Sequence, residues 1–584
     1  MIVPMKKVTI LCLDHAKDET LEALRALGTV HLTHLQLPEG EDVDKARARL
    51  TYVQRALEIL PHHPQKAISG KTADEVVTAL WVLIHEQKDL KEKLAHLKHE
   101  KMRVEPYGNF DPESIRKLAK GGVHVKLYQA PAGSKLEAPE GAVIQLLSES
   151  KDGIFLAVLD RRDINMNAVE FLPPAQSLRE IENGIAAAEK RLAETEEEIA
   201  AYGGDYPAVA QVVQDALDQV RYTEARAGMG GEKAIAYLQG YCPVGNMAAV
   251  ERSAAEKGWG IVVAEPSTDD PVPTKLDNPK WIKPIKAIFD MTGILPGYHE
   301  VDISVPFLIF LSIFFAMLVG DAGYGVLFIG MTRFARRKMP KAPAYPFTLL
   351  YIMSGATIAW GILTRTVFGL PREMLAWLPY IPWLENDTNV MQLCFVIGAV
   401  HLSIAHLWNA WLLRKTPQAL AHIGWTCTTW GMFFTAGMFV LGKAFPSWVA
   451  PVMIAGVVLI VLFKTPVKQL KSEWFGHAML PLDLISNFTD VVSYLRLFAV
   501  GTAGFAVANA FNQMLSPMFG SFFGGLAAAV FLFLGHALNI ALCGLGILVH
   551  GVRLNTLEFS SHMGVQWAGR PYNPFCKQSQ KDHN

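Results

Sequence analysis

Apolar positions change their rhythm twice along this chain. The opening stretch KKVTILCLD alternates, DETLEALRALG places its apolar residues three and four apart, and TVHLTHLQL alternates again, which predicts strand, helix, strand. The same order returns in KAIAYLQGYCP, NMAAVERSAAEKG and WGIVVAEP at residues 233–264. Residues 1–40 and 230–270 are therefore expected to complete one split β-α-β lobe. Between them, Ala73–Val104 and Ala175–Ala201 are charged helical stretches rich in Ala, Leu, Glu and Lys, and they predict the two arms of an antiparallel coiled coil. The segment they enclose, 105–172, is strand-rich (GGVHVKLYQAP, AVIQLLSES, GIFLAVLD) and is expected to form a second, distal lobe. The fold class predicted for residues 1–300 is an α+β dumbbell, two α/β lobes joined by a coiled coil.

From residue 301 to 584 the rhythm gives way to long apolar runs: Ser304–Arg333, Phe347–Leu370, Val390–Leu413, Ile423–Gly442, Trp448–Phe463, Leu484–Leu515 and Phe522–Val552. About 20 apolar residues cross a bilayer core, so this half predicts an all-α membrane domain. Basic residues gather at Arg333, Arg336, Arg337, Lys338 and Lys341, at Arg414 and Lys415, and at Lys464, Lys468 and Lys471, whereas the intervening loops hold only Arg372 and Lys443. The basic loops are expected on the cytoplasmic side. With the front half on that side too, residues 304–332 must cross an even number of times. At 1.5 Å per residue they make only about 43 Å of helix, enough for two short tilted halves. Gly320, Asp321, Gly323 and Gly325 lie at the midpoint, where glycines permit a turn and Asp321 can accept from freed backbone donors. The count becomes eight transmembrane segments with both termini cytoplasmic.

Charge sharpens the division. The 584 residues carry 54 Lys+Arg against 55 Asp+Glu, but residues 1–303 hold 46 acidic and 36 basic side chains and the remainder 9 and 18. An overall balance near zero argues against nucleic acid as a partner. Six scattered cysteines form no C-x-x-C pair, so neither a disulfide framework nor a zinc site is expected. The N-terminal apolar run meets Asp14, Lys17, Asp18 and Glu19 at once, unlike a signal peptide.

Two membrane segments carry side chains that cost about 2.5–3.5 kcal/mol each to insert when charged. Asp483, Ser486, Thr489 with Asp490, Ser493 and Arg496 share one helix face, followed by small residues from Gly501 to Ala510 that admit a neighbouring helix. In the last segment His536, Asn539, Cys543, Gly546, His550 and Arg553 repeat the device. The histidines and Asn539 either bond neighbouring helices or line a polar route, and Arg553 either snorkels or takes part in it. Arg496 has no acid one turn away, which marks it for function.

Several motifs resemble the membrane a subunit, or subunit I, of rotary V/A-type ATPases and ATP synthases: TKLDNP at 274–279, AMLVGDAGYGVLF at 316–328, SYLRLFAVGTAG at 493–504 and GHALNIALCGLGILVHGVRLNTLEF at 535–559. The resemblance implies a non-catalytic stator subunit of the plasma (inner) membrane, without cofactor, providing two aqueous half-channels to a ring of c subunits. It implies Arg496 as the essential arginine that meets each ring carboxylate, Arg553 as its supporting arginine, and Asp483 as the acidic channel residue, with His536, Asn539, His550 and Glu558 lining the other route. Its implied partners are the c ring, peripheral stalks, a central-stalk d/C-type subunit and the lipid bilayer, and its cargo is proton or sodium. Cys543, Ala316 and HMGVQWAGR at 562–570 depart from the family pattern. No G-x-x-x-x-G-K-[ST] occurs, so ATP chemistry is expected in partners. The rival reading is a secondary transporter with a coiled-coil regulatory domain. It should show an internal repeat and has no need of a two-lobed shaft.

Overall fold

The computed structural model describes residues 1–61, 68–131, 134, 141–150, 153–163, 165–466 and 474–577. Lys468 and Lys471 of the third basic loop lie outside them. Strand β1 (Met5–Leu13) alternates as its sequence does, with Met5, Val8, Ile10 and Cys12 buried. Helix α1 (Lys17–Leu27) turns Leu21 and Leu24 inward and ends on Gly28 in the left-handed region, before β2 (His31–Thr33). Helices α2 (Glu41–Ile59), α3 (Ala73–Val104) and α4 (Pro112–Lys120) lead to four antiparallel strands, β3 (His124–Ala130), β4 (Val143–Ser150), β5 (Gly153–Asp160) and β6 (Val169–Phe171), ordered β4-β5-β3-β6. The chain returns through α5 (Leu178–Ala201) and α6 (Tyr206–Ala227) to β7 (Gly230–Glu232), β8 (Ile235–Pro243), α7 (Met247–Lys257) and β9 (Gly260–Ala264).

The first sheet runs β2-β8-β1-β9 with β7 on β8, so β1 lies antiparallel between two strands from the far end of this half. Helices α3 and α5 pack together, each opened by a capping box, Thr72 with Glu75 and Ser177 with Glu180, that satisfies the first free backbone donors. Arg191 on α5 reaches Glu86 on α3 at 2.7 and 2.9 Å. Two helices join them that the charge pattern did not single out. Residues 41–59 and 206–227 pair as α2 and α6, burying Val53 and Ala56 with Val209, Val213 and Ala216.

Strand β10 (Pro273–Thr274) and helix α8 (Lys286–Thr292) precede a mostly helical remainder. Between helices α9 (Ser304–Val319) and α10 (Ala322–Lys338) the chain bends by 118°. Then come α11 (Ala344–Leu363), α12 (Asp387–Leu412), α13 (Gln418–Leu441), α14 (Val449–Phe463), the short α15 (Trp474–Ala478), α16 (Leu480–Ser493), α17 (Leu495–Leu515) and α18 (Phe522–Gly546). Among the described residues four helical stretches are long and apolar enough to cross a membrane: Ala344–Leu363, Asp387–Leu412, Leu480–Gly520 and Phe522–Met563. The bent α9–α10 pair makes a fifth if counted as one span, and α14 is apolar but short at 15 residues. Helix α9, apolar on every side, is buried except along the face of Val305, Ile309 and Ile313, and its Phe307 and Phe314 join Phe395, Leu402, Tyr494, Leu497 and Phe559 in the core. A short helix α19 (Ser560–Met563) and strand β11 (Arg570–Pro571) end the described chain, β11 pairing with β10.

Candidate functional site

The break between α9 and α10 is built by its own sequence. Gly320 takes φ +68°, open to glycine and strained for other residues. Asp321 then caps α10, its Oδ1 accepting from the Gly323 and Tyr324 amides at 2.8 and 3.2 Å, while Oδ2 accepts from the Gly369 amide at 3.1 Å. A buried carboxylate is tolerable there because three backbone donors surround it. Gly325 lets α11 approach, since a Cβ would lie 3.0 Å from the Ser354 carbonyl oxygen.

Tyr324 carries this turn to the last membrane helix. Its hydroxyl bonds His536 Nδ1 at 2.7 Å and accepts from Asn539 Nδ2 at 3.0 Å, and the same amide also donates to the Gly504 carbonyl at 2.9 Å. His536 and Asn539 therefore bond neighbouring helices at the turn.

Arg496 lies one residue past the α16–α17 junction. Tyr494 occupies that junction fully buried, its hydroxyl 2.8 Å from His401 Nδ1 on α12. His401 is stacked between Phe310 and Phe559, with ring centroids 3.9 and 4.3 Å away. From this anchored turn Arg496 donates through Nε to the Ser493 carbonyl at 3.0 Å and through Nη2 to Glu558 Oε1 at 2.8 Å. An acid partner thus exists, 62 residues further on. Arg553 Nε stands 3.6 Å from the same Glu558 oxygen. Two guanidinium groups share one carboxylate that is 5% exposed, and the cluster keeps a net positive charge. Glu558 Oε2 has no hydrogen-bond partner among the described residues.

The regular three-and-four spacing of the last segment holds on an α-helix as far as Gly546. Ile547–Gly551 and Leu554–Phe559 wind as wider π turns, which re-aims Arg553 and Glu558 toward Arg496. His550 makes no hydrogen bond to the cluster, its Nδ1 being buried without a partner among the described residues. Asp483 is also remote, 13 residues before Arg496 or about 20 Å along a helix, and pairs with Lys464 at 2.9 Å. Ser493 donates to the Asp490 carbonyl at 2.7 Å, and the Asp490 carboxylate bonds His562 Nε2 at 3.0 Å.

A cavity of about 520 Å³ reaches from the loop bearing Arg372, Glu373, Glu385 and Asp387 inward to Gly320, Leu497 and Gly501. Its inner end therefore lies beside the turn that carries Arg496.

No family model matches the chain. The V-type ATP synthase subunit I 1 of Treponema pallidum (strain Nichols) is 30% identical, with 98% of this chain and 100% of that protein aligned. The chain belongs to the subunit I family of V/A-type ATP synthases. Another subunit I, from Borreliella burgdorferi, is 29% identical over 99% of this chain and 100% of its own length, and the A-type subunit I of Methanocaldococcus jannaschii is 26% identical over 69% and 64%. Among solved structures, a cytoplasmic N-terminal domain of subunit I, homolog of subunit a, of V-ATPase aligns at 18% identity and TM-score 0.24, covering 44% of this chain and 100% of that one.

In this subunit I the site also contains four histidines that the sequence pattern passed over: His401, His406, His422 and His562. Single histidines in apolar helices have no periodic signal. Only the unusual stretch 562–570 hinted at the last of them.

Proposed function

We propose that this chain is the ion-translocating stator subunit of a rotary V/A-type ATPase or ATP synthase, in which Arg496 meets the carboxylates of a passing c ring between two aqueous half-channels. The observation that carries the reading is the shared ion pair. Arg496 is held by one donor to Glu558 and one to a backbone carbonyl, its side chain is 27% exposed, and the cluster has positive charge to spare for an arriving carboxylate. A guanidinium keeps its charge at any working pH, so it attracts each carboxylate yet blocks direct passage of the ion. The charged-mouthed cavity ending at Leu497 and Gly501 serves as one route, and the Asp483, Asp490 and Ser493 face of α16 belongs to the other. Helix α18 exposes Phe522, Phe523, Phe531, Phe533, Leu534 and Leu538, a surface suited to lipid and to the c ring.

In this reading residues 1–300 form a cytoplasmic dumbbell that binds peripheral stalks and the central-stalk d/C-type subunit, and the membrane half crosses eight times, with α9 and α10 as a broken hairpin. A cysteine at Ala322 is then labelled from outside by an impermeant reagent. Labelling only from the cytoplasmic face would overturn that topology. A pull-down with the full chain should recover stalk subunits through the acidic front half.

The deciding experiment is substitution of Arg496 in the assembled complex. Arg496→Lys and Arg496→Ala should assemble yet lose ATP-driven ion uptake, because a lysine offers a shorter point charge that can lose its proton when desolvated, while Arg553→Ala should retain a fraction. Wild-type pumping by assembled Arg496→Ala complexes would sink the proposal.

A further inference from the structure

Beside the arginine cluster, and separate from its hydrogen bonds, runs a line of imidazoles ending on a carboxylate. His562 Nε2 bonds Asp490 Oδ2 at 3.0 Å, and His562 Nδ1 bonds His406 Nε2 at 2.9 Å. The His406 ring stacks on Trp425 and lies 5.9 Å, centroid to centroid, from the ring of His422. His406 is 4% exposed, and both its Nδ1 and that of His422 are buried polar atoms without partners among the described residues. The line joins α19, α12 and the first turns of α13, next to the basic loop with Arg414 and Lys415, to the partly buried Asp490 on the α16 face that leads to Arg496.

Two unpartnered ring nitrogens are costly in an apolar interior unless something visits them. With Asp490 ionised, His562 donates from Nε2, so its neutral ring accepts at Nδ1 from His406 Nε2–H. That leaves the buried His406 Nδ1 lone pair unpartnered among the described residues and free to accept, with the His422 ring 5.9 Å away, centroid to centroid.

We infer that His422, His406, His562 and Asp490 form a proton wire from the α13 end of the membrane domain to the groove beside Arg496. A proton arriving by way of His422 bonds to His406 Nδ1. The Nε2–H of His406 breaks as its proton joins His562 Nδ1, and the Nε2–H of His562 breaks as its proton joins Asp490 Oδ2. One proton enters, one carboxyl becomes neutral, and each ring ends neutral in its other tautomer. Rotation of both rings resets the wire. Asp490 then delivers its proton into the groove. This inference rests on the chain being an ion-translocating subunit and names the cargo as protons.

The competing role is a tether, since Asn409 on α12 also donates to the His562 carbonyl at 3.0 Å. The test uses the intact complex in sealed vesicles, with ATP-driven membrane potential read by a voltage dye that a permeant base does not collapse. His562→Ala and His406→Gln should assemble and lose at least about tenfold in rate, as expected when a positioned proton carrier is removed. Millimolar imidazole should restore much of the His562→Ala rate, and the residual rate should show a larger solvent deuterium effect than wild type. Wild-type rates in both variants would overturn the wire. So would a loss that imidazole leaves unchanged with a wild-type deuterium effect, which is the tether's signature, or uptake of sodium with no proton movement. Arg496→Ala, run in parallel, separates the two readings: if it blocks transport while the histidine variants do not, the wire alone fails.

Discussion

His401 has no solvent contact, yet it orients both members of the ion pair. Through Tyr494 it fixes the turn that presents Arg496, and through its stack on Phe559 it fixes the residue next to Glu558. Tyr494→Phe removes one hydrogen bond and leaves His401 Nδ1 unpaired inside a packed core. It should cost about 1 kcal/mol, seen as a small drop in the unfolding temperature of the solubilised complex, and lower ions moved per ATP by more than it lowers assembly. Equal loss in assembly and coupling would make the bond merely structural. At this scale the sequence exposes a charge whose position is improbable, such as Arg496 or Asp321, and hides the partner. Glu558 was legible only through the family resemblance, as an acid within the 535–559 motif lining one route. Its pairing was not, because it depends on π turns that no 3.6-residue spacing anticipates.

Elements obey a similar division. The split sheet was legible because the strand, helix, strand order of residues 1–40 returns at 233–264, and β1 alternates buried and partly exposed positions from Val8 to Cys12. Helix α2 escaped because its few buried positions, Val43, Val53 and Ala56, are too sparse for a visible stripe, whereas α6 does carry one, Val209, Val213, Ala216 and Val220, which a reading led by charged stretches passed over. Where α17 passes α9, Gly501 sits so close that a Cβ would fall 2.3 Å from the Met317 carbonyl oxygen, whereas a Cβ on Gly330 of α10 meets nothing within 4 Å. Gly501→Ala should therefore push the two helices apart and destabilise by about 1–3 kcal/mol, while Gly330→Ala should leave the unfolding temperature unchanged or raise it through better helix propensity. Comparable thermal melts for the two variants would refute the packing argument.

At the scale of the whole molecule, the last described residues return to the first sheet. Tyr572 donates its hydroxyl to the Thr29 carbonyl at 2.6 Å and stacks on His31, the Asn573 amide donates to His31 Nδ1 at 3.0 Å, and the Phe575 amide donates to Val30. Burial holds the His31 imidazole below its ordinary value of 6.5. The folded lobe thus binds that proton more weakly than the unfolded chain, so the docking is intact above about pH 6.5 and weakens as pH falls through and below that value. Hydrogen exchange at residues 570–576, corrected for intrinsic rates, should quicken between neutral and mildly acidic pH, and His31→Gln should remove most of that dependence. An unchanged profile in the variant would assign the effect elsewhere.

The same return has a mechanical meaning. Val3 donates its amide to the Lys275 carbonyl at 2.9 Å and Ile2 bridges Leu276, on the segment where Pro273 and Thr274 pair in parallel with Arg570 and Pro571. A force twisting the sheet lobe against the membrane helices does not stretch one flexible connector. It shears three neighbouring backbones whose hydrogen bonds must give way together, so the joint behaves as a stiff coupling, and loss of the final stretch from residue 570 onward would turn it into a compliant hinge.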